Sequence, residues 1–249
     1  MSIARTIPSA PPGSALEMLF AATATIYARI EADQLAFLAL ATGCGPGLAC
    51  PPGCGACCAP FVPDVLPVEA AYIAAWLLDR EPALAVSTAS WESAGPPAAP
   101  PCPFLISAPL GSRCSIYPAR PMVCRLFGVA GVRDKEGRAA FRPCARMPML
   151  GYPSADSSRR SFIGAELVRV FGAEPPIMSD YAAALAALSP SEAAERILLT
   201  EALPAAIRRV GLSHSLAEAA RDRTYSKRDE RETDGVSDGP EIAARGDSH

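Results

Sequence analysis

The sequence predicts a mainly α protein whose helices surround an irregular, cysteine-rich centre, with a few short strands. Three observations carry this. Alanine is abundant and aromatic residues make up only 6% of the chain, a bias toward helices over a sandwich or barrel. The 26 prolines concentrate in residues 8–12, 46–67 and 96–121, which makes those stretches irregular. All nine cysteines fall between positions 44 and 144, inside or beside those proline-rich stretches.

The elements follow in order. Ser14 with Glu17 three residues later reads as a capping box. Leu16, Leu19, Phe20, Ile26, Tyr27, Ile30, Leu35 and Leu38 then recur at helical spacing, to about Thr42, where Gly43, Gly45, Pro46 and Gly47 stop the helix. Residues 43–62 carry no charged side chain and no helical period, so they read as a loop wrapped around something. Pro67 and Glu69 open a second helix, "PVEAAYIAAWLLDRE". "GPPAAPPCP", 95–103, reads as a stiff linker, "FLIS" as a short strand and "FGVAGV" as another. Further on, "SFIGAELVRVFG", "SPSEAAERILLTEAL" (capped by Ser189) and "SLAEAARDR" read as helices. From Arg221 to His249 nearly half the residues are charged, which predicts a disordered tail. The expected organisation is a cysteine-cluster domain with its N-terminal helices over 1–150, a helical segment over 151–220 packed on it, and the tail over 221–249.

Several function classes are excluded. No run of about 20 apolar residues predicts a membrane span. "ALEMLFAATATIYARI" carries Glu17 and reads as an amphipathic helix rather than a signal sequence, so a cytoplasmic protein with reduced thiols is expected. The net charge of -3 gives no argument for a nucleic-acid partner, and none is expected; no feature names a protein partner. No P-loop, dinucleotide fingerprint or G-x-S-x-G appears, and the single internal histidine, His214, makes a Ser–His–Asp triad a poor fit.

The cysteines are then the chemistry. "CPPGCGACC", residues 50–58, places Cys50, Cys54, Cys57 and Cys58 in nine positions. Inert core thiols would scatter along the chain, and these do not. An odd count, a reducing compartment and the adjacent Cys57–Cys58 pair argue against a disulfide framework. Metal binding fits better: thiolates spaced two and three residues apart can converge, and Gly53 and Gly55 let the backbone fold around Cys54. With both histidines remote in sequence, ligation is thiolate-only, which selects zinc or an iron–sulfur cluster. The fold expected is thus a set of helices around a metal-binding centre. Between Arg113 and Arg146 there are eight basic and two acidic residues, and Arg120 and Arg125 flank Cys124, where they can offset the charge of a thiolate centre. Pro121 pushes Arg120 to extended backbone, and Tyr117 can bury its ring. Adjacent side chains tend to diverge, so Cys57 and Cys58 are expected to serve different partners.

A second motif is "CSIYPARPMVCRLF", 114–127. Together with C-x3-C-x2-C-C and the "CPFL" at 102–105, it resembles the YkgJ family of cysteine-cluster proteins, the CxxCxxCC domain, over about residues 50–146. The resemblance implies metal or iron–sulfur binding by Cys50, Cys54, Cys57, Cys58, Cys102, Cys114, Cys124 and Cys144, with Tyr117, Arg120 and Arg125 beside the centre. It implies a structural or redox role and no particular reaction. The alternatives are a cluster-dependent enzyme, similar to a protein lysine methylase or a radical SAM transferase, and a zinc-stabilised adaptor binding protein or nucleic acid. Against the radical SAM pattern, Ala56 stands where an aromatic residue is usual, and a fourth cysteine is adjacent. Cys44 has no counterpart in the family pattern.

Overall fold

In a computed structural model of the chain, the structure describes residues 7–44, 48–51, 53–91, 100–108, 111–147, 161–191 and 196–234. The first helix, α1 (Ala15–Cys44), starts where the cap predicts. Ser14 Oγ accepts the Glu17 N–H at 3.2 Å, and the Glu17 carboxylate accepts the Gly13 N–H at 2.6 Å, one residue earlier than in the usual box. Its apolar positions serve two separate cores. Phe20, Tyr27 and Ile30 pack into the larger one, and Phe37 and Ala41 into the smaller. α1 is therefore a spine that one core shares with the next.

The larger core is completed by α2 (Pro67–Arg80), α3 (Pro82–Ala89), the 3-10 turn Tyr117–Ala119 and the short α4 (Met122–Leu126). In α2 every residue from Val68 to Leu77 is buried, so it is covered on all sides, Glu69 included. Tyr72 meets Phe20 and Tyr27 edge to face, with ring centroids 5.9 and 5.4 Å apart. β1 (Asp64–Val65) leads into α2 and pairs antiparallel with β7 (Ile197–Leu198), which leads into α7 (Leu199–Asp234). β2 (Leu105–Ala108) and β3 (Gly111–Cys114) form a hairpin with Leu105 opposite Cys114.

The smaller core is aromatic. Phe141 touches Phe37 and Phe171, and Phe162 touches Phe171, all at T-shaped angles with centroids 5.1–5.4 Å apart. It lies under a three-stranded antiparallel sheet, β4 (Val132–Arg133), β5 (Ala139–Phe141) and β6 (Phe162–Ile163), with α5 (Ala165–Phe171) against it. α6 (Met178–Ala186) places Tyr181 and Leu185 in the larger core.

The mainly α reading holds, with differences at the edges. "FLIS" is strand, but "FGVAGV" is mostly turn and becomes strand only at Val132. "SFIGAELVRVFG" begins as strand, because Phe162 and Ile163 pair with β5 before Gly164 turns the chain into α5. In "SPSEAAERILLTEAL" residues 192–195 lie outside the described residues; the stretch from Leu188 to Ser191 is turn and bend, Ile197–Leu198 is strand, and helix begins at Leu199. The chain divides into two compact units, Met1–Gly211 and Leu212–His249. In the second, where composition predicts disorder from 221, the backbone is helical as far as Asp234; its Ala, Glu, Lys and Arg residues are strong helix formers. No helix among the described residues is long and apolar enough to cross a membrane.

Candidate metal centre

The 50–58 loop is held by glycines and by the β2–β3 hairpin. Cys54 N–H donates to Pro51 O at 3.1 Å and Cys58 N–H to Gly55 O at 3.0 Å, so the loop is two consecutive tight turns. The hairpin locks onto it through Ser112 N–H to Gly53 O at 2.8 Å. The backbones come so close that a Cβ at Gly55 would lie 2.6 Å from the Ser112 Cβ. Gly111, at φ +121°, brings a would-be Cβ within 2.9 Å of the Gly53 Cα. Cys102 N–H donates to Cys58 O at 3.0 Å, tying the "CPFL" cysteine to the loop. The next cysteines follow from the elements: Cys114 ends β3, and Cys124 sits in the middle of α4. Cys144 packs on the smaller core, its Cβ 3.3 Å from where Gly128 would carry one.

The eight described cysteines are all free thiols. The structure brings them into one electrostatic neighbourhood. Cys50 feels Cys54, Cys57 and Cys144, whereas Cys58 feels Cys57, Cys124 and Cys102, and Cys114 feels Cys102 and Cys57. Cys57 is common to both groups. Burial pushes the thiols of Cys50, Cys102, Cys114 and Cys124 above their ordinary value. Cys57 goes the other way. The hydrogen bond with Cys58 holds it down at about 6, helped by nearby backbone N–H groups and the Arg120 charge. The same bond pushes Cys58 up, so the pair keeps one proton between them.

Cys57 and Cys58 do not diverge as adjacent side chains were expected to. Their sulfurs stand 3.8 Å apart. Two thiolates bound at ~2.3 Å to one tetrahedral ion stand about 3.8 Å apart, so the pair already has the edge length of a thiolate site. A third ligand is not yet in place: among the described residues no three His, Cys, Asp or Glu side chains are grouped closely enough to hold an ion. Only the Cys57–Cys58 pair is in contact at that spacing.

The three flanking residues separate. Arg120, extended at φ −51°, ψ 142° ahead of Pro121, lies close enough to lower Cys57, Cys114 and Cys124 by its charge. Tyr117 does not bury its ring. It is 59% exposed, and the Arg120 guanidinium lies 3.8 Å over its face. Arg125 serves the scaffold. It is buried over the Tyr27 ring at 4.1 Å, pairs with Glu31, and donates to the carbonyls of Arg120 (2.8 Å) and Pro118. Of the basic segment, Arg138 is ion-paired to Asp134 and Glu136, and Arg133 to Asp180. Cys44 ends α1, and its side chain lies outside the described residues.

The sequence reading placed Glu69 in the first turn of the second helix but missed its buried role beneath the centre. Glu69, 1% exposed, accepts hydrogen bonds from Leu66 N–H (3.0 Å), Met122 N–H (2.7 Å) and the Tyr27 hydroxyl (3.1 Å). It ties α1, α2 and the start of the Cys124 helix together. The signal was available: a lone carboxylate in an otherwise apolar run, "VEAAYIAAWLL".

Comparison with known proteins finds one family model, described as CxxCxxCC, "Putative zinc- or iron-chelating domain", which matches residues 49–145. No curated protein and no solved structure matches the chain. The matched span takes in the 50–58 loop, the hairpin and α4, with the late cysteine at its end.

Proposed function

We propose that this chain holds a thiolate metal centre, zinc or an iron–sulfur cluster, in a structural or redox role, with ligands drawn from Cys50, Cys54, Cys57, Cys58, Cys102, Cys114, Cys124 and Cys144. The observation that carries it is the Cys57–Cys58 pair at 3.8 Å. That spacing suits a metal that accepts two thiolates on one ion. Zinc does so, and so does each iron of a four-cysteine [2Fe–2S] cluster, whereas four cysteines on [4Fe–4S] give one thiolate per iron. The absence of any nearby imidazole in the matched span keeps the donor set soft. When bound, the metal supplies cross-linking of loop, hairpin and α4, and in the iron case a one-electron couple. The protein's part is to present thiols, Cys57 the most acidic of them, and to offset their charge with Arg120.

The test is metal and sulfide analysis of anaerobically purified protein with its visible absorption spectrum. Zinc without visible absorption, or iron and sulfide in equal amounts with absorption, is the expected result. Cys57→Ser and Cys58→Ser should each remove the same centre. Protein that carries neither metal, or that keeps a full complement in both variants, would overturn the reading.

A further inference from the structure

Among the described residues, two cavities of the larger unit differ in their charges. One, of about 400 Å³, lies between α1 and α6, and both of its arginines are paired: Arg29 with Asp33 and Arg133 with Asp180, while the Tyr181 hydroxyl bonds Asp33. Nothing there calls for a ligand. The second, of about 360 Å³, lies beside the cysteine centre, between α1, α2 and the 117–125 segment. Its walls include Tyr27, Glu31, Leu35, Tyr72, Tyr117 and Arg120.

Arg120 is the odd group. Among the described residues its guanidinium has no carboxylate partner, and its buried Nε has no hydrogen-bond partner at all. A buried guanidinium nitrogen left unpaired is costly, and proteins keep such groups where a ligand completes them. The Tyr117 ring covers one face of the guanidinium at 3.8 Å, which holds its plane and leaves the N–H edge for a planar, two-oxygen acceptor. The other cation on the wall, Arg125, is already spent on Glu31 and two carbonyls. With Arg125 and Glu31 offsetting one another, Arg120 leaves one uncompensated positive charge on the described wall, which matches a single negative charge. Leu35, Tyr72 and Tyr27 offer apolar and aromatic surface.

We propose that this cavity is a binding site for a small organic monocarboxylate with an apolar body, its carboxylate on Arg120 and its body against the tyrosines. The site stands beside the cysteine centre and shares Arg120 with it. It does not depend on which metal, if any, the cysteines hold.

Benzoate, benzamide and inorganic phosphate are the probes, titrated into the full chain as purified and after chelator treatment, with binding followed by saturation-transfer NMR and metal content measured on the same samples. Benzoate should bind in the millimolar range, and benzamide, which lacks the charge, should bind roughly tenfold more weakly or worse. Arg120→Gln should abolish the difference between the two. Leu35→Trp, at a position 69% exposed and remote from the fold's packing, should block benzoate by filling the cavity and leave metal content unchanged. Equal binding of benzoate and benzamide, benzoate binding that survives both substitutions, or no benzoate binding overturns the site. Phosphate binding tighter than benzoate overturns the ligand class. Loss of metal in Arg120→Gln with benzoate binding intact assigns Arg120 to the cysteines alone and also overturns it.

Discussion

Glu69 shows how a single buried carboxylate can organise a site it never touches. Its three acceptor contacts hold the first turn of α2, the Tyr27 hydroxyl and the first N–H of α4 around one point. Glu69→Ala leaves two buried N–H groups and a phenol without partners, each costing about 1 kcal/mol or more. We expect a loss of about 3 kcal/mol in urea unfolding, and weaker metal retention because Cys124 rides on α4. A loss under about 1 kcal/mol would mean that water replaces the carboxylate. The cysteines give a second residue-scale prediction, with a sign. Burial holds Cys102, Cys114 and Cys124 protonated above their ordinary 9.0. In that range the unfolded chain has already lost the protons that the folded one keeps, so folding stability is full below about pH 9 and falls as pH rises beyond it. The melting temperature of metal-free protein should therefore drop as pH rises from about 9 to about 11, and adding zinc at neutral pH should release protons as the thiols ionise to bind. A metal-free melting temperature that rises over that range would show that the thiols are not held protonated.

At the scale of elements, the 50–58 loop depends on a hairpin more than forty residues away. Gly55 gives way to nothing: a methyl there meets the Ser112 Cβ at 2.6 Å and Leu105 Cδ1 at 3.0 Å. Gly55→Ala should push the loop off the hairpin, lower metal content by more than half, and cost about 1–3 kcal/mol. Gly137→Ala is the control, at φ +78° but with no heavy atom within 4 Å of the added Cβ; it should leave metal content unchanged. Retained metal in Gly55→Ala would show that the hairpin contact is dispensable. The same elements show what was legible beforehand. The cysteine loop, α1, α2 and the β2 strand could be read because their signals are local: cysteine spacing, a capping serine, a proline at the first helical turn, apolar period. What could not be read depends on partners far along the chain. β6 and β7 are two-residue strands whose pairing partners lie in β5 and β1. Their sequences, "FI" and "IL", sit at the edge of helical patterns, and only the pairing decides. α3 and α6 are helices of 8 and 9 residues, too short for their period to stand out, and were missed for that reason. At the site, Arg120's position was legible from Pro121, whereas the outward Tyr117 and the Arg125–Tyr27–Glu31 contact needed α1 in place.

At the scale of the whole molecule, the matched family span and the folding unit are different objects. The span covers residues 49–145. The larger core also takes Phe20, Tyr27 and Ile30 from α1, Tyr181 from α6, and Leu199, Leu203 and Val210 from α7. The smaller core takes Phe37 from α1 and Phe162, Leu167 and Phe171 from the region after the span. A fragment of 49–145 would expose most of both cores, and Tyr27 and Glu31 would be gone from the Arg125 and Glu69 contacts. Expressed alone, it should show no cooperative melting and hold little metal, despite having all eight ligand candidates. By contrast, every core residue named here lies before Leu212, where the first compact unit ends. Truncation after Arg223 should thus keep the metal content and the melting temperature of the full chain. The two truncations pull apart two accounts of the centre. If the cysteines alone sufficed, as in small metal-folded domains, 49–145 would fold when zinc is added. If the helices position them, as the Glu69 and Arg125 contacts argue, only the chain that keeps residues 7–211 will bind.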